Sequence, residues 1–317
     1  MREKVSEVLT VGEILVEIMR KEVDVTLEEK EDFVGPFPSG APTIFVDAVA
    51  RLGVSSGIIG GLGKDEFAEC ILERLEDDGV DTSMIKRSED LSTGVAFVTY
   101  FSDGSRKFIY HMENSAAGIV GSEDVKEEYL DGVTVVHVNG CSLTMGPKMR
   151  GACYRVVDVA DDRGILISFD PNVRIELEAA GESRNIISPI LEVADVVTPS
   201  MEETEVITGS KDTADAAEFL LDKGIGTVAI KKGDDGCELY RGDEALQIPP
   251  YDVKEVDPTG AGDAFSAGMV VGLLEDMELE RLGNFANAVG ARAVTAKGPM
   301  EGLAKRGKID EMVSERI

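Results

Sequence analysis

Short apolar runs rich in valine and isoleucine alternate along the chain with longer stretches of helical period. "VLTVGEILVEI" (8–18) reads as a first strand. "PTIFVDAVARLG" (42–53) reads as a helix ending at Gly53, and "SSGIIGGLG" (55–63) as a strand and loop. "DEFAECILERLEDDG" (65–79) has the marks of an amphipathic helix: Asp65 to cap it, Phe67, Ile71 and Leu75 on one face, Gly79 to stop it. "VTVVHVNG", "ILISFDPN", "ADVVTPS" and "GTVAIKKG" then read as buried strands, each beside a helix-like stretch. Such alternation predicts an α/β fold, a doubly wound, mostly parallel sheet flanked by helices.

Two segments break the rhythm. Residues from about 19 to 37 carry charges without helical period. "STGVAFVTYFSDGSRKFIYH" (92–111) reads as a β-hairpin turning at Ser102-Asp103-Gly104-Ser105. Strands interrupting a doubly wound order can form a separate small sheet. Segments 19–37 and 92–112 are therefore expected as a lid inserted in one domain spanning 1–317. An open lid sheet leaves a pairing edge, so a homodimer through the lid is expected.

Ligands of such a sheet bind beyond the carboxyl ends of its strands. The loops expected there are Gly60 to Asp65, Asn139-Gly140, Asp170-Pro171-Asn172, Pro199-Ser200, Lys231 to Gly236 and Asp257 to Asp263.

Composition narrows the partners. The 317 residues carry a formal net charge of -29. That charge repels nucleic acid and anionic membrane, so neither is an expected partner. It also means that any anion site must create its own local positive field. The cysteines, Cys70, Cys141, Cys153 and Cys237, form no C-x-x-C pair and suit a reducing cytoplasm. His111 and His137 are the only histidines, which disfavours a zinc site or a Ser-His-Asp triad. His137 reads as a strand residue, whereas His111 is read equally as a lid contact or an exposed position. The first 22 residues lack the apolar core of a signal peptide, and no apolar run is long enough to span a bilayer.

The chemistry concentrates in "DPTGAGDAF" (257–265). Thr259 or Asp257 stands where a helix cap belongs, and Gly260 and Gly262 allow positive φ and close backbone approach. A helix start offers unpaired N–H groups and a positive dipole end. Glycine lets those donors face a phosphate. Asp263 beside such an anion hole makes sense as a base that takes a proton from an alcohol.

The string "DPTGAGDAFSAG" resembles the C-terminal signature of the ribokinase-like (PfkB) carbohydrate kinases. "PSGAPTIFVDAVARLGVSSGIIGGLGKDEFAECILERLEDDGVD" is similar to that family's N-terminal signature. "VGEILVEI", "FDPNVR", "VAIKKGDDG" and "NFANAVGARAVTAKG" resemble its other elements in order, so the likeness covers nearly the whole chain. It implies a ribokinase-like fold and an ATP-dependent sugar kinase. Asp263 would be the base, and the backbone of Gly260, Ala261 and Gly262 the anion hole. Lys231, Gly233, Gly236, Thr259 and Asn287 would serve the nucleotide. Gly12, Glu13 and Gly40 would sit at the sugar, with Asp170, Asn172 and Arg174 near the phosphate path or distal sugar. Mg²⁺ would ride on ATP, with Glu203 near it, and Asp257 would help a K⁺ site as in some relatives.

Three departures bear on the substrate. Ile44 stands where the family often has a sugar-binding Asn, and Ser200 replaces the Asn of its N-x-x-E element. Kinases of 2-keto-3-deoxygluconate typically carry an arginine where "YHMENSAAG" has Met112 and Glu113. Glu113 would repel a carboxylate, although Arg174 remains as an anion contact. The first choice is thus a neutral ketohexose such as tagatose or fructose, and the alternative is the keto-deoxy acid. A phosphosugar ranks third, because Arg106 and Lys107 are the lid's only concentrated positive charge. The competing class is a sugar-sensing protein that keeps the fold without chemistry, and an intact Asp263 argues against it.

Overall fold

A computed structural model describes residues 6–172 and 182–316. Thirteen strands are named among them. In chain order they are β1 (Val8–Val11), β2 (Leu15–Arg20), β3 (Phe33–Ser39), β4 (Ser56–Gly63), β5 (Ile85–Ser88), β6 (Gly94–Tyr100), β7 (Arg106–His111), β8 (Val135–Asn139), β9 (Leu166–Asp170), β10 (Val196–Val197), β11 (Thr227–Lys231), β12 (Cys237–Arg241) and β13 (Glu244–Ile248). The helices are α1 (Ala41–Arg51), α2 (Glu66–Asp78), α3 (Gly140–Thr144), α4 (Pro147–Arg163), α5 (Glu182–Leu191), α6 (Met201–Thr208), α7 (Thr213–Leu221), α8 (Ala261–Leu274), α9 (Leu279–Ala293) and α10 (Arg306–Ser314).

The large sheet runs β13-β12-β11-β10-β9-β8-β1-β4-β5, and the small one β3-β2-β6-β7. From β11 to β5 every pair in the large sheet is parallel; only β12 runs against the rest, antiparallel to both β11 and β13. Successive side chains on a strand point to opposite faces. Val8, Ile58 and Val135 therefore pack into the cluster that includes Phe45, Ile71, Phe265, Phe285 and Ile309 of α1, α2, α8, α9 and α10. Leu9, Ile59 and Val136 pack instead with Val156, Ile190 and Ala217 of α4, α5 and α7. Both faces are covered by helices, as the valine-rich strands require.

The expected single first strand is two strands in different sheets. After Val11 the chain leaves the large sheet at Gly12, and β2 pairs with β3 and β6 instead. Gly12 is there for packing, since a Cβ would sit 2.3 Å from the Ser142 hydroxyl and 2.4 Å from Pro42. The small sheet consequently begins at Leu15, earlier than the pattern of charges suggested. The hairpin of β6 and β7 forms as expected. Asp65 caps α2 by accepting from Ala68 N–H, and Gly79 closes it at φ 91°.

The small sheet is fastened to the C-terminal segment. Lys297 donates to the carbonyls of Arg20 and Lys21. Tyr100, the last residue of β6, hydrogen-bonds Asp257 and Thr259. Arg20 is buried and donates to the carbonyls of Thr26, Leu27, Glu29 and Glu31. It thereby organises an acidic loop that has no regular structure of its own.

Candidate active site

The carboxyl ends of the parallel strands meet the N-terminus of α8, and a cleft of about 1030 Å³ lies between this rim and the small sheet. Its lining includes Glu13, Gly40, Asp170, Asn172, Glu203, Lys231, Gly233, Thr259, Gly260, Gly262 and Asp263. Segments remote in sequence thus converge as the topology demands.

At the floor, Gly260 occupies the cap position of α8 in the left-handed conformation, φ 82°. Neither Thr259 nor Asp257 caps the helix, contrary to expectation, and no side chain satisfies its first N–H groups. Those donors and the dipole end suit an anion. Glycine is required at the cap itself, where a Cβ on Gly260 would lie 2.5 Å from the Pro299 carbonyl, whereas one on Gly262 would meet only the Lys231 Nζ at an ordinary contact distance of 3.4 Å.

Asp263, in the first turn of α8, is buried. Its pKa stands well above the ordinary 3.8, first through desolvation and then through repulsion by Asp170 and Glu13; Lys231 and Arg106 oppose the rise. Asn139 at the end of β8 donates Nδ2 to Asp263 Oδ1 at 3.2 Å. Lys231 ends β11 and meets Asp170 Oδ2 at 2.7 Å. Burial alone would lower the Lys231 pKa, but Asp170, with Glu203 and Asp263, holds it above its ordinary value. It remains a cation in the cleft.

Toward the small sheet, the buried Glu13 carboxylate accepts from Cys141 Sγ at 3.1 Å and Ser142 Oγ at 2.6 Å. Glu17 on β2 accepts from Ser39 at 2.7 Å. Arg106 of β7 faces across from them, with Phe108 and Tyr110 beside it. Ile44, where an asparagine was expected, lines the cleft and packs near Gly260. The end of the cleft toward the small sheet therefore offers buried carboxylates and one arginine of β7.

Several expected site residues lie elsewhere. Asn287 donates to the carbonyls of Ile248 and Pro249, and a Cβ on Gly236 would meet that same Ile248 carbonyl at 2.1 Å. Both shape the loop after β13, and neither they nor Gly12 are among the residues lining the cleft. Asp257 accepts from Thr259 N–H, Tyr100 Oη and Gly298 N–H, a set of donors that organises the loop before α8. Its Oδ2 accepts from Gly298 N–H alone, so the carboxylate keeps acceptor capacity beyond these donors. Glu203 and Ser200 form a capping box on α6, and Glu203 also lines the cleft. The S-x-x-E spacing was legible for that box. Ala261 begins α8, where its backbone belongs to the anion-binding turn. Arg174 lies outside the described residues. His111 is exposed, and His137 is fully buried against Phe45, with ring centroids 3.7 Å apart. Asn139 was expected only as part of a loop at the ligand edge, without a role, and Glu17 was not singled out. Its place in a strand of the small sheet could have suggested Glu17.

A helix start held open for an anion, with a buried carboxylate in its first turn, suits a phosphotransferase that uses an alcohol as acceptor. The chain belongs to the pfkB family of carbohydrate kinases, whose model matches residues 5–306. It is 34% identical over 305 residues to fructokinase-1 of Oryza sativa, covering 93% of this chain and 94% of that one. Zea mays fructokinase-1 is 32% identical, covering 97% and 98%. An E. coli protein named provisionally as Ribokinase II, solved with ATP and Mg²⁺, is 38% identical with a TM-score of 0.93, covering 98% of this chain and all of that one. The protein is an ATP-dependent sugar kinase with a ribokinase-like fold.

Proposed function

We propose that this kinase phosphorylates a neutral ketohexose, with fructose the first candidate. The observation that carries this reading is the sugar end of the cleft, where Glu13, Glu17 and Ser39 are suited to hydroxyl groups. The similarity to plant fructokinases supports it. Tagatose differs in the configuration of one hydroxyl and is the nearest alternative. The name of the E. coli relative favours ribose as a second reading. Arg106 keeps 2-keto-3-deoxygluconate under test.

In the proposed reaction Asp263 takes the proton of the acceptor hydroxyl as its oxygen bonds to the γ-phosphorus. The bond from that phosphorus to the β–γ bridging oxygen breaks, and ADP leaves. The N–H groups at Gly260–Gly262 receive the transferring charge, and Lys231 supplies a cation beside them. ATP brings Mg²⁺, held mainly through phosphate and water; Glu203 is the cleft carboxylate that would face its water shell. No cluster of three or more candidate ligands exists among the described residues. K⁺ activation through the loop before α8 stays part of the proposal, with the Asp257 carboxylate and neighbouring backbone carbonyls as the ligands it would use.

The small sheet serves as a lid whose closure excludes water. Phe33 and Ile109 are exposed on β3 and β7, and we assign this surface to a second copy of the chain. Light scattering at micromolar concentration should give a dimer; a monomer removes that assignment. No helix among the described residues is long and apolar enough to cross a membrane, and a cytoplasmic location is proposed.

The test is ADP release with MgATP against fructose, tagatose, 2-keto-3-deoxygluconate, ribose, a nucleoside and fructose 6-phosphate. Fructose as the strongest acceptor supports the proposal, and a different strong responder replaces it. Silence across the panel with ATP still bound moves the reading to a sugar sensor.

A further inference from the structure

Behind the base lies a polar chain that the transfer reaction itself does not use. Four side chains, all buried, run from the interior of the large sheet to the cleft: Ser168 on β9, His137 and Asn139 on β8, and Asp263 on α8. Ser168 Oγ and His137 Nδ1 are 3.0 Å apart. Asn139 Nδ2 donates to Asp263 Oδ1 at 3.2 Å. No hydrogen bond closes the middle of this row: His137 Nε2 and Asn139 Oδ1 are both buried, and neither has a hydrogen-bond partner among the described residues. The two residues stand two apart on β8, so their side chains share one face of the sheet, and Asn139 acts on the ring as an acceptor; the two orphaned atoms are thus each other's candidate partners.

One proton arrangement satisfies all four groups. An ionised Asp263 accepts only, so Asn139 must present its amide N–H to it. The Asn139 carbonyl then faces the ring and requires Nε2–H. The neutral ring with its proton on Nε2 leaves Nδ1 to accept from the Ser168 hydroxyl. Neutrality is consistent with the surroundings, since burial, helped by Lys231, pushes the His137 pKa down to about 3. The ring is also clamped flat on Phe45. Each amide or ring flip would set donor against donor or acceptor against acceptor in the dry interior, which costs more than the bond it breaks.

We infer that Asn139 is a positioning residue for the base, fixed in orientation by His137 and Ser168, and that it selects the ionised, correctly rotated Asp263 carboxylate. The inference rests on Asp263 being the base. The other charged groups acting on Asp263 are Asp170 of β9, Lys231 of β11, Glu13 beyond β1 and Arg106 of β7. None of them hydrogen-bonds an oxygen of Asp263 among the described residues, so Asn139 is the group that sets its rotation.

The experiment compares full-length wild type with Asn139→Ala, Asn139→Asp, His137→Phe and Asp263→Asn. It records kcat and KM for ATP and the best acceptor from pH 5 to pH 9, with a thermal melt of each. Asn139→Ala should lower kcat roughly tenfold, with KM values within about twofold, and move the acid limb of kcat upward by about one pH unit. Asn139→Asp has nearly the same shape and should move that limb further, because a like charge then faces the base. It also covers the case in which the alanine variant fails to fold. His137→Phe keeps the stack on Phe45 and should show the same shift in smaller measure. Folded Asn139 variants with an unchanged acid limb and kcat overturn the inference while an inactive Asp263→Asn leaves the base in place. Full turnover in Asp263→Asn overturns the base itself.

Discussion

Two of the buried aspartates, Asp47 and Asp263, are kept in opposite ways. Asp47 on α1 is fully enclosed and meets Arg74 of α2 at 3.0 Å, with Arg51 acting from further off. Arg74 also donates to the Met300 carbonyl, so the pair joins α1, α2 and the C-terminal segment. Asp263 is buried too, yet the nearest cation, Lys231, is bonded to Asp170. Desolvation raises both pKa values, that of Asp47 to about 7. Burial and a perturbed pKa therefore do not identify a base. What separates the two is the partner: a bonded guanidinium consolidates Asp47, whereas Asp263 has only the neutral amide of Asn139 and borders a cleft.

The largest test of this contrast is at Asp263. Asp263→Asn should lower kcat about a hundredfold or more with KM nearly kept. Unchanged turnover would make Asp263 no more catalytic than Asp47. Lys231→Met should come next, with kcat/KM for ATP reduced about tenfold or more, because the cleft loses a cation while a buried Asp170 loses its partner. A melt separates the two effects, and a variant with full ATP efficiency would remove Lys231 from the nucleotide site. The wild-type pH profile follows. Asp263 must be ionised to accept a proton, so kcat should fall with acidification through a pKa above the ordinary 3.8. An acid limb at the ordinary value would contradict the environment described.

The smallest effect on turnover should be at Asp47. Its folded pKa is raised, so its contribution to stability is full below about 4 and is lost as pH rises through about 7. Asp47→Asn should flatten that part of the Tm–pH curve relative to wild type while activity per folded molecule stays close to normal. An inactive but folded variant would erase the distinction between the two aspartates.

The parallel sheet and the α8 turn were legible in the sequence because their signals are local. Valine-rich runs mark doubly buried strands, and Gly-Ala-Gly-Asp marks a helix start kept free of side chains. Continuous apolar pattern, however, does not reveal which sheet a strand joins. "VLTVGEILVEI" therefore hid the transfer of the chain between sheets at Gly12. Asn287 illustrates a different limit. A motif gives a position on α9 but not what that amide will bond, and here the carbonyls after β13 take it. The sequence placed Asn139 in a loop at the ligand edge but did not reveal its bond to Asp263, because that partner lies 124 residues away.

The fastening of the small sheet has a consequence for synthesis. Ribosomes deliver chains from the N-terminus, so the strands between Leu15 and His111 emerge long before Asp257 and Lys297 exist to hold them. During that interval the nascent chain carries an unanchored small sheet with open edges and exposed aromatic residues, the surface most open to chaperones and to wrong pairing. The last stretch of the message thus completes the first part of the protein to be made. A chain interrupted before Asp257 would lack both the base and the bolts that hold the roof of its own cleft.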